Sequence, residues 1–92
     1  MTQIDFDQIP TGRVMMVAAL RLENDLFGLK RRFAYKTANH CYRVDIIRDS
    51  TGGLVWCGEI DGKSCDQWTD LPRKLQKAIN QVITQINSKN GS

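Results

Sequence analysis

The last quarter of the chain repeats its apolar residues at the spacing of an α-helix. The apolar positions are Trp68, Leu71, Leu75, Ala78, Ile79, Val82, Ile83 and Ile86. This three-to-four-residue spacing predicts an amphipathic helix from about residue 70 to residue 88. Asp70 or Thr69 can cap it, and Pro72 fits its first turn. Because such a helix must bury its apolar face, the rest of the chain has to supply a matching surface.

Two strand-like runs precede this helix, over residues 42–48 and 54–60. The residues between them, 49–53, have the composition of a hairpin turn, and Asp61-Gly62 predicts a further tight turn. The side chains expected to face the core are Tyr42, Val44 and Ile46 in the first run, and either Leu54 and Trp56 or Val55 and Cys57 in the second. These runs predict a β-hairpin.

A third run, from about residue 27 to residue 36, places four cations and two aromatic rings within eight residues. Strand alternation puts Leu29, Arg31, Phe33 and Tyr35 on one face, and Lys30, Arg32, Ala34 and Lys36 on the other. The aromatic rings either meet a partner or belong to the core, and we expect the cations to remain exposed in either case. Arg31 falls on the apolar face, which a β-bulge, a peripheral position or a ligand would explain.

Residues 12–24 leave two interpretations open, because the run is apolar throughout its centre and periodicity does not separate helix from buried strand. Composition and Thr11 as a cap favour helix, whereas Asn24-Asp25 would suit a hairpin turn between strands. The predicted fold is therefore α+β, with an antiparallel three- or four-stranded β-meander packed against the C-terminal helix, in the order α-β-β-β-α or β-β-β-β-α. We expect one domain over residues 1–92, with an N-terminal arm (1–11) and a C-terminal tail (88–92) that fray.

The net charge of the 92-residue chain is only +3, but it is distributed in blocks. Residues 29–48 carry six basic and one acidic side chain, and residues 71–92 carry four basic and no acidic ones. Such blocks predict separate positive and negative surfaces that steer partners. The chain has neither a signal-peptide pattern nor an apolar run of membrane-spanning length, so we expect a cytoplasmic protein with no membrane contact.

The cysteines and the histidine point to no catalytic, metal or cofactor site. An odd number of cysteines, Cys41, Cys57 and Cys65, suits reduced thiols in a reducing compartment. His40 and Cys41 are adjacent and no Cys-x-x-Cys pair occurs, which disfavours a zinc site. Neighbouring side chains also diverge on an extended chain, so this pair does not form a nucleophile with its base. We expect a protein that is not an enzyme and that uses no metal or cofactor.

The basic residues make a binding function the leading hypothesis. Cations in the first two turns of a helix oppose its dipole, so a functional anion would explain them, although the preceding Asp66 and Asp70 offer a purely structural neutralisation. The predicted binding residues are Lys30, Arg31, Arg32, Phe33, Tyr35, Lys36, Arg43, Arg73, Lys74 and Lys77. We expect them to form one positive surface that binds RNA or DNA backbone. The alternatives are a protein-binding regulator or inhibitor, of antitoxin or anti-defence type, that docks on a nucleic-acid-handling complex, and a homodimer formed through an exposed sheet edge.

Two short motifs resemble known nucleic-acid-binding families. With a helix over residues 12–24, the element order resembles that of double-stranded-RNA-binding domains, and the run of residues 73–77 is similar to the basic cluster that they use against phosphates. The glycine-rich lead of that family is reduced here to Asp61-Gly62-Lys63-Ser64, several residues before the basic cluster, and the alanine-rich helix is missing. Residues 32–35 resemble part of the aromatic motif of RRM domains, but Arg32 stands where that family has glycine.

Overall fold

Five antiparallel strands and one long helix make up the computed structural model of this chain, which describes residues 4–19, 28–48 and 50–91. The strands are β1 Met15–Ala19, β2 Gly28–Lys36, β3 Cys41–Arg48, β4 Leu54–Ile60 and β5 Lys63–Cys65. Each strand pairs with the next one along the chain, so the sheet is a meander in the order β1-β2-β3-β4-β5. The helix α1 spans Arg73–Gly91, and short 3-10 helices span Phe6–Gln8 and Trp68–Asp70. The predicted α+β fold is confirmed.

The ambiguous segment forms strand β1 at the edge of the sheet. Met15 pairs with Ala34 of β2 and Met16 pairs with Phe33, with a bulge before Ala18. Pairing with β2 therefore outweighs the helix propensity of Met and Ala. The α-β-β-β-α alternative is wrong, and the resemblance to double-stranded-RNA-binding domains loses the element order on which it rested. The predicted Asn24-Asp25 turn lies outside the described residues.

Strand β5 is the fifth strand, one more than the sequence predicted. It follows the turn at Asp61 and Gly62, whose backbone φ angles are 53° and 84°. Two successive residues with positive φ form the tight turn that matches the twist of paired strands. The predicted turn is confirmed, and it leads into a strand of only three residues, Lys63–Cys65, which is too short to produce a periodic pattern.

The core lies between α1 and one face of the sheet. Its buried side chains are Phe33, Tyr35, Tyr42, Val44 and Ile46 from the sheet, and Leu71, Leu75 and Ile79 from the C-terminal segment. Leu54 and Trp56 pack against this cluster, whereas Val55 and Cys57 are exposed, which settles the register of β4. The Trp56 ring meets the Trp68 ring edge-on at 5.5 Å between centroids. The residues predicted to face the core from β3 are confirmed.

Helix α1 begins at Arg73, slightly later than predicted. Thr69 and Asp70 belong to the preceding 3-10 helix, and the first α-helical bond runs from the Gln76 backbone N–H to the Pro72 carbonyl at 2.9 Å. The Gln76 side-chain amide donates to the carbonyls of Trp68 and Leu71, both at 2.9 Å. These bonds connect the 3-10 helix to α1, and the predicted caps at Thr69 and Asp70 are wrong. The fraying of the two chain ends stays a prediction.

Candidate nucleic-acid interface

The ten predicted binding residues fall into two separate groups. Seven lie on the central strands β2 and β3, and Arg73, Lys74 and Lys77 lie in the first two turns of α1. Alternate residues of a strand point to opposite faces of the sheet, and only one of these faces is covered by α1. The strand residues are therefore divided between the covered face and the open face.

The two aromatic residues of β2 belong to the core. Phe33 is 3% exposed and Tyr35 is 7% exposed, and both pack in the cluster beneath α1. Pairing of Phe33 with Val44 and of Tyr35 with Tyr42 continues this apolar surface onto β3. Neither ring is presented to a partner, so the interpretation of these rings as core residues is the one that the structure supports.

Arg32 points to the opposite face of the sheet, where it forms a buried ion pair. Its Nε donates to Asp45 Oδ1 at 2.8 Å and its Nη2 donates to Asp45 Oδ2 at 3.0 Å. Arg32 is 6% exposed and Asp45 is 7% exposed. The hydrogen bond to Asp45 raises the pKa of the Arg32 guanidinium, against the opposing effect of burial. The expectation that Arg32 remains exposed is wrong, because the directly opposite residue of β3 is a carboxylate.

Arg43 extends the same network across the sheet to β4. Its guanidinium donates to the carboxylates of Asp45 and Glu59, and Glu59 lies directly opposite Arg43 in the strand register. Two guanidinium groups and two carboxylates therefore alternate over three strands. We call Arg32, Asp45, Arg43 and Glu59 the sheet ion network. Its net charge is zero, so it contributes little to an electropositive surface.

The remaining cations of β2 differ in their surroundings. Lys36 donates from Nζ to the Phe6 carbonyl at 2.8 Å, while the Gly12 backbone N–H donates to the Lys36 carbonyl at 2.6 Å. These bonds attach the N-terminal arm to β2. Arg31 is half-buried on the α1 side, next to a register shift between Leu29 and Arg31. Of the three explanations offered for Arg31 on this face, a β-bulge, a peripheral position and a ligand, the register shift supports the bulge. Lys30 lies at that bulge, and its side chain is outside the described part of the structure.

The three basic residues of α1 are exposed. Among the described residues, none of the ion pairs involves Arg73, Lys74 or Lys77, so Asp66 and Asp70 do not neutralise them by direct contact. Lys74 donates from Nζ to the Gly12 carbonyl at 3.0 Å. This bond brings Gly12, directly after the N-terminal arm, to the start of α1.

Sequence reasoning missed a fourth cation and most of the polar surface that continues from this trio. Arg13 is exposed. Its backbone lies near Lys74, because it follows Gly12, whose carbonyl accepts the hydrogen bond from Lys74. The exposed side chains of α1 up to residue 87 are Arg73, Lys74, Lys77, Asn80, Gln81, Thr84, Gln85 and Asn87. We call these eight residues the α1 face. The helical periodicity of the sequence is the signal that could have identified these exposed residues.

The α1 face has an unusual composition for an exposed helix. All eight side chains are cationic, amide or hydroxyl groups, and the sequence from residue 71 to residue 92 contains no acidic residue. Solvent-exposed helices commonly gain stability from acidic residues in the first turn and from pairs of opposite charge. The α1 face has neither, so helix stability alone does not explain its composition.

A second polar cluster surrounds the β4–β5 turn. The Asp61 carboxylate accepts hydrogen bonds from His40 Nδ1 at 2.7 Å and from the Cys41 backbone N–H at 2.8 Å. The bond to His40, and secondly that to Cys41, lowers the pKa of Asp61. Asp61 has a positive φ in the tight turn. Its two bonds, to His40 and to Cys41 at the start of β3, hold this turn against β3. The cluster thus has a structural role.

Within the described ranges, no group of three or more His, Cys, Asp and Glu side chains is placed to bind a metal ion. The three cysteines are free thiols. No helix in the described part of the chain is long and apolar enough to cross a membrane. A scan of protein-family models and searches of curated proteins and of solved structures found no match to this chain.

Proposed function

We propose that this chain is a small non-catalytic domain that binds nucleic-acid backbone through the α1 face. The observation that carries the proposal is the composition of that face, in which eight exposed side chains include three cations and no acid. Phosphate groups are bound by Arg and Lys, and also by the amides and hydroxyls of Asn, Gln and Thr. The α1 face presents only these kinds of groups.

The position of the cations supports this proposal. Arg73, Lys74 and Lys77 lie where the positive end of the helix dipole already favours anions. Each cation there costs a few tenths of a kcal/mol in helix stability, roughly the lower end of the dipole effect. A phosphate bound at these cations interacts favourably with the positive end of the dipole, so it offsets that cost. Arg13 adds a fourth positive charge next to Gly12, whose carbonyl accepts the hydrogen bond from Lys74.

The proposal differs in its footprint from the positive surface that the sequence predicted. The sheet ion network uses Arg32 and Arg43 internally, and Phe33 and Tyr35 are in the core. The footprint we propose is therefore the α1 face with Arg13. The domain would act in the cytoplasm, where its three free thiols would stay reduced.

Binding of a fluorescein-labelled oligonucleotide, followed by anisotropy over a series of salt concentrations, tests this function. We expect log K to fall linearly with log[salt] with a slope of about −3.6, since the footprint has four cations and each neutralised phosphate contributes about −0.9 on duplex DNA. Lys77→Gln should reduce the slope by about one. Lys63→Gln removes the same charge from exposed β5 and should leave the slope unchanged. No binding at low salt to any oligonucleotide would overturn the proposal.

The alternative, a protein-binding regulator that docks on a nucleic-acid-handling complex, is favoured by a different observation. Met16 is 51% exposed and Val17 is 41% exposed, and both lie on the edge strand β1. Exposed apolar side chains beside unpaired strand edges suit protein contacts. A complex with a host protein that survives nuclease treatment and is lost in Met16→Lys would favour this alternative over the α1 face.

A further inference from the structure

We propose that the nucleic acid recognised by the α1 face is double-stranded DNA, contacted in its major groove. This inference rests on the proposed function and adds to it the class of duplex and the groove. Three features of the structure point to it: the division of the α1 face along the helix axis, the location of the aromatic rings, and the dimensions of an exposed helix.

The cations and the uncharged polar groups occupy different parts of the α1 face. The three cations lie within the first five residues of helix α1. The uncharged members of the face follow further along the helix, and they are Asn80, Gln81, Thr84, Gln85 and Asn87. A rise of about 1.5 Å per residue makes the face roughly 21 Å long, with the cations in the first third. One end of the helix can therefore bind phosphates while the remainder presents amides and a hydroxyl.

The uncharged groups are of the kinds that distinguish base pairs. The side-chain amides of Asn and Gln can accept a hydrogen bond from adenine N6 and donate one to adenine N7 at the same time, and Thr contacts several base edges. By the 3.6-residue period, Asn80 and Thr84 lie on the same line as Arg73 and Lys77, opposite the buried Leu75. The crest of the helix thus carries both phosphate-binding and base-reading side chains.

The aromatic rings in the described part of the chain are unsuited to single-stranded nucleic acid. Proteins that bind single strands stack bases on exposed aromatic side chains. Over residues 4–19, 28–48 and 50–91, none of the Phe, Tyr and Trp side chains is exposed. Trp56 and Trp68, which are half-buried, pack against each other. The described surface therefore offers no stacking platform.

The shape of the α1 face favours B-form DNA over duplex RNA. A helix with its side chains is about 10–12 Å across. The major groove of B-DNA is about 12 Å wide and admits a helix, whereas the major groove of A-form RNA is deep and narrow. Because the apolar side of α1 packs on the sheet, the opposite side forms a convex ridge of the kind that enters such a groove.

A competition series against one labelled duplex DNA tests this inference. The competitors are unlabelled oligonucleotides of the same length and sequence, prepared as duplex DNA, duplex RNA, single-stranded DNA and single-stranded RNA. We expect duplex DNA to compete at least tenfold better than the other three. If duplex RNA or a single strand competes equally well or better, the inference is wrong while the proposed function stands. If no form binds, both fail.

The groove is tested with two small-molecule competitors and a pair of matched variants. Methyl green, which occupies the major groove, should displace the protein, and distamycin, which occupies the minor groove, should not; the reverse would overturn the inference.

In selection from a random duplex pool, Asn80→Ala should reduce the enrichment of preferred sequences several-fold and leave the salt slope unchanged. Asn39→Ala removes an exposed amide from the β2–β3 loop and should change neither. Enrichment that is equal in all three proteins, or absent in the wild type, would contradict base reading by α1.

Discussion

Arg32 and Asp45 form a bidentate ion pair on the sheet face that α1 does not cover, with N–O distances of 2.8 and 3.0 Å. Arg43 and Glu59 extend this pair into the sheet ion network. The network explains how a charged strand can lie at the centre of a sheet, because Arg32 and Arg43 each meet a carboxylate on the neighbouring strand.

The first prediction concerns the removal of Asp45. Asp45→Ala removes the carboxylate that accepts two hydrogen bonds from the buried Arg32, so we expect the free energy of unfolding to fall by about 3 kcal/mol. Urea unfolding measures this loss. The double replacement Arg32→Met with Asp45→Leu removes both buried charges and should recover most of it. Equal stability of Asp45→Ala and the wild type would show that solvent screens the pair.

The second prediction concerns acid stability. The hydrogen bonds from His40 and Cys41 lower the pKa of Asp61 in the folded protein. A carboxyl group with a lowered folded pKa stabilises the fold above its unfolded pKa of about 4, and this contribution is lost as the pH falls through the folded value. Asp61→Asn keeps a residue that tolerates positive φ but removes the charge. We expect thermal unfolding between pH 2 and pH 6 to show a steeper acid-side decline in the wild type than in Asp61→Asn, and identical profiles would contradict this role.

The third prediction concerns Gly58, which is buried on β4. A Cβ atom at this position would lie 2.9 Å from Cζ3 of Trp56. Gly58→Ala should therefore displace the Trp56 ring from Trp68 and lower the free energy of unfolding by about 1–3 kcal/mol, as overpacking does. The near-ultraviolet circular dichroism of the tryptophans should change with it. An unchanged tryptophan signal with unchanged stability would show that the ring adjusts freely.

The fourth prediction separates stability from binding at the start of α1. Arg73→Glu replaces a cation with an anion at the positive end of the helix dipole, so we expect it to stabilise the fold by about 0.3–1 kcal/mol. The same change should weaken nucleic-acid binding more than tenfold at low salt. Lys63→Glu makes the same change in net charge on β5 and should weaken binding less. If both variants weaken binding equally, net charge and not the α1 face controls it.

The arrangement of strands could be predicted where a local pattern was strong. The β3–β4 hairpin and α1 followed from their periodicity and from the turns between them. β1 was left open, because the apolar run of seven residues from Val14 to Leu20 suits either helix or strand until its pairing with β2 is known. β5 was missed because it is held by the Asp61-Gly62 turn and not by its own composition.

The candidate site was less predictable than the fold. The positive charges of β2 and β3 could be counted from the sequence, but Asp45 is 13 residues away from Arg32 and Glu59 is 16 residues away from Arg43. Only the strand register brings these groups together, so the sheet ion network was not foreseen. The exposure of the α1 cations was predictable, since it depends on helical periodicity alone.

The most direct test of the α1 face is a two-dimensional ¹⁵N–¹H NMR titration of the labelled protein with a short duplex DNA at low salt. We expect the largest chemical-shift changes at the backbone amides of residues 73–87 and at Arg13, with small changes at Arg43, Glu59 and the rest of the sheet ion network. Changes centred on β2–β4 with α1 unaffected, or no changes at all, would contradict the proposal that α1 contacts the nucleic acid.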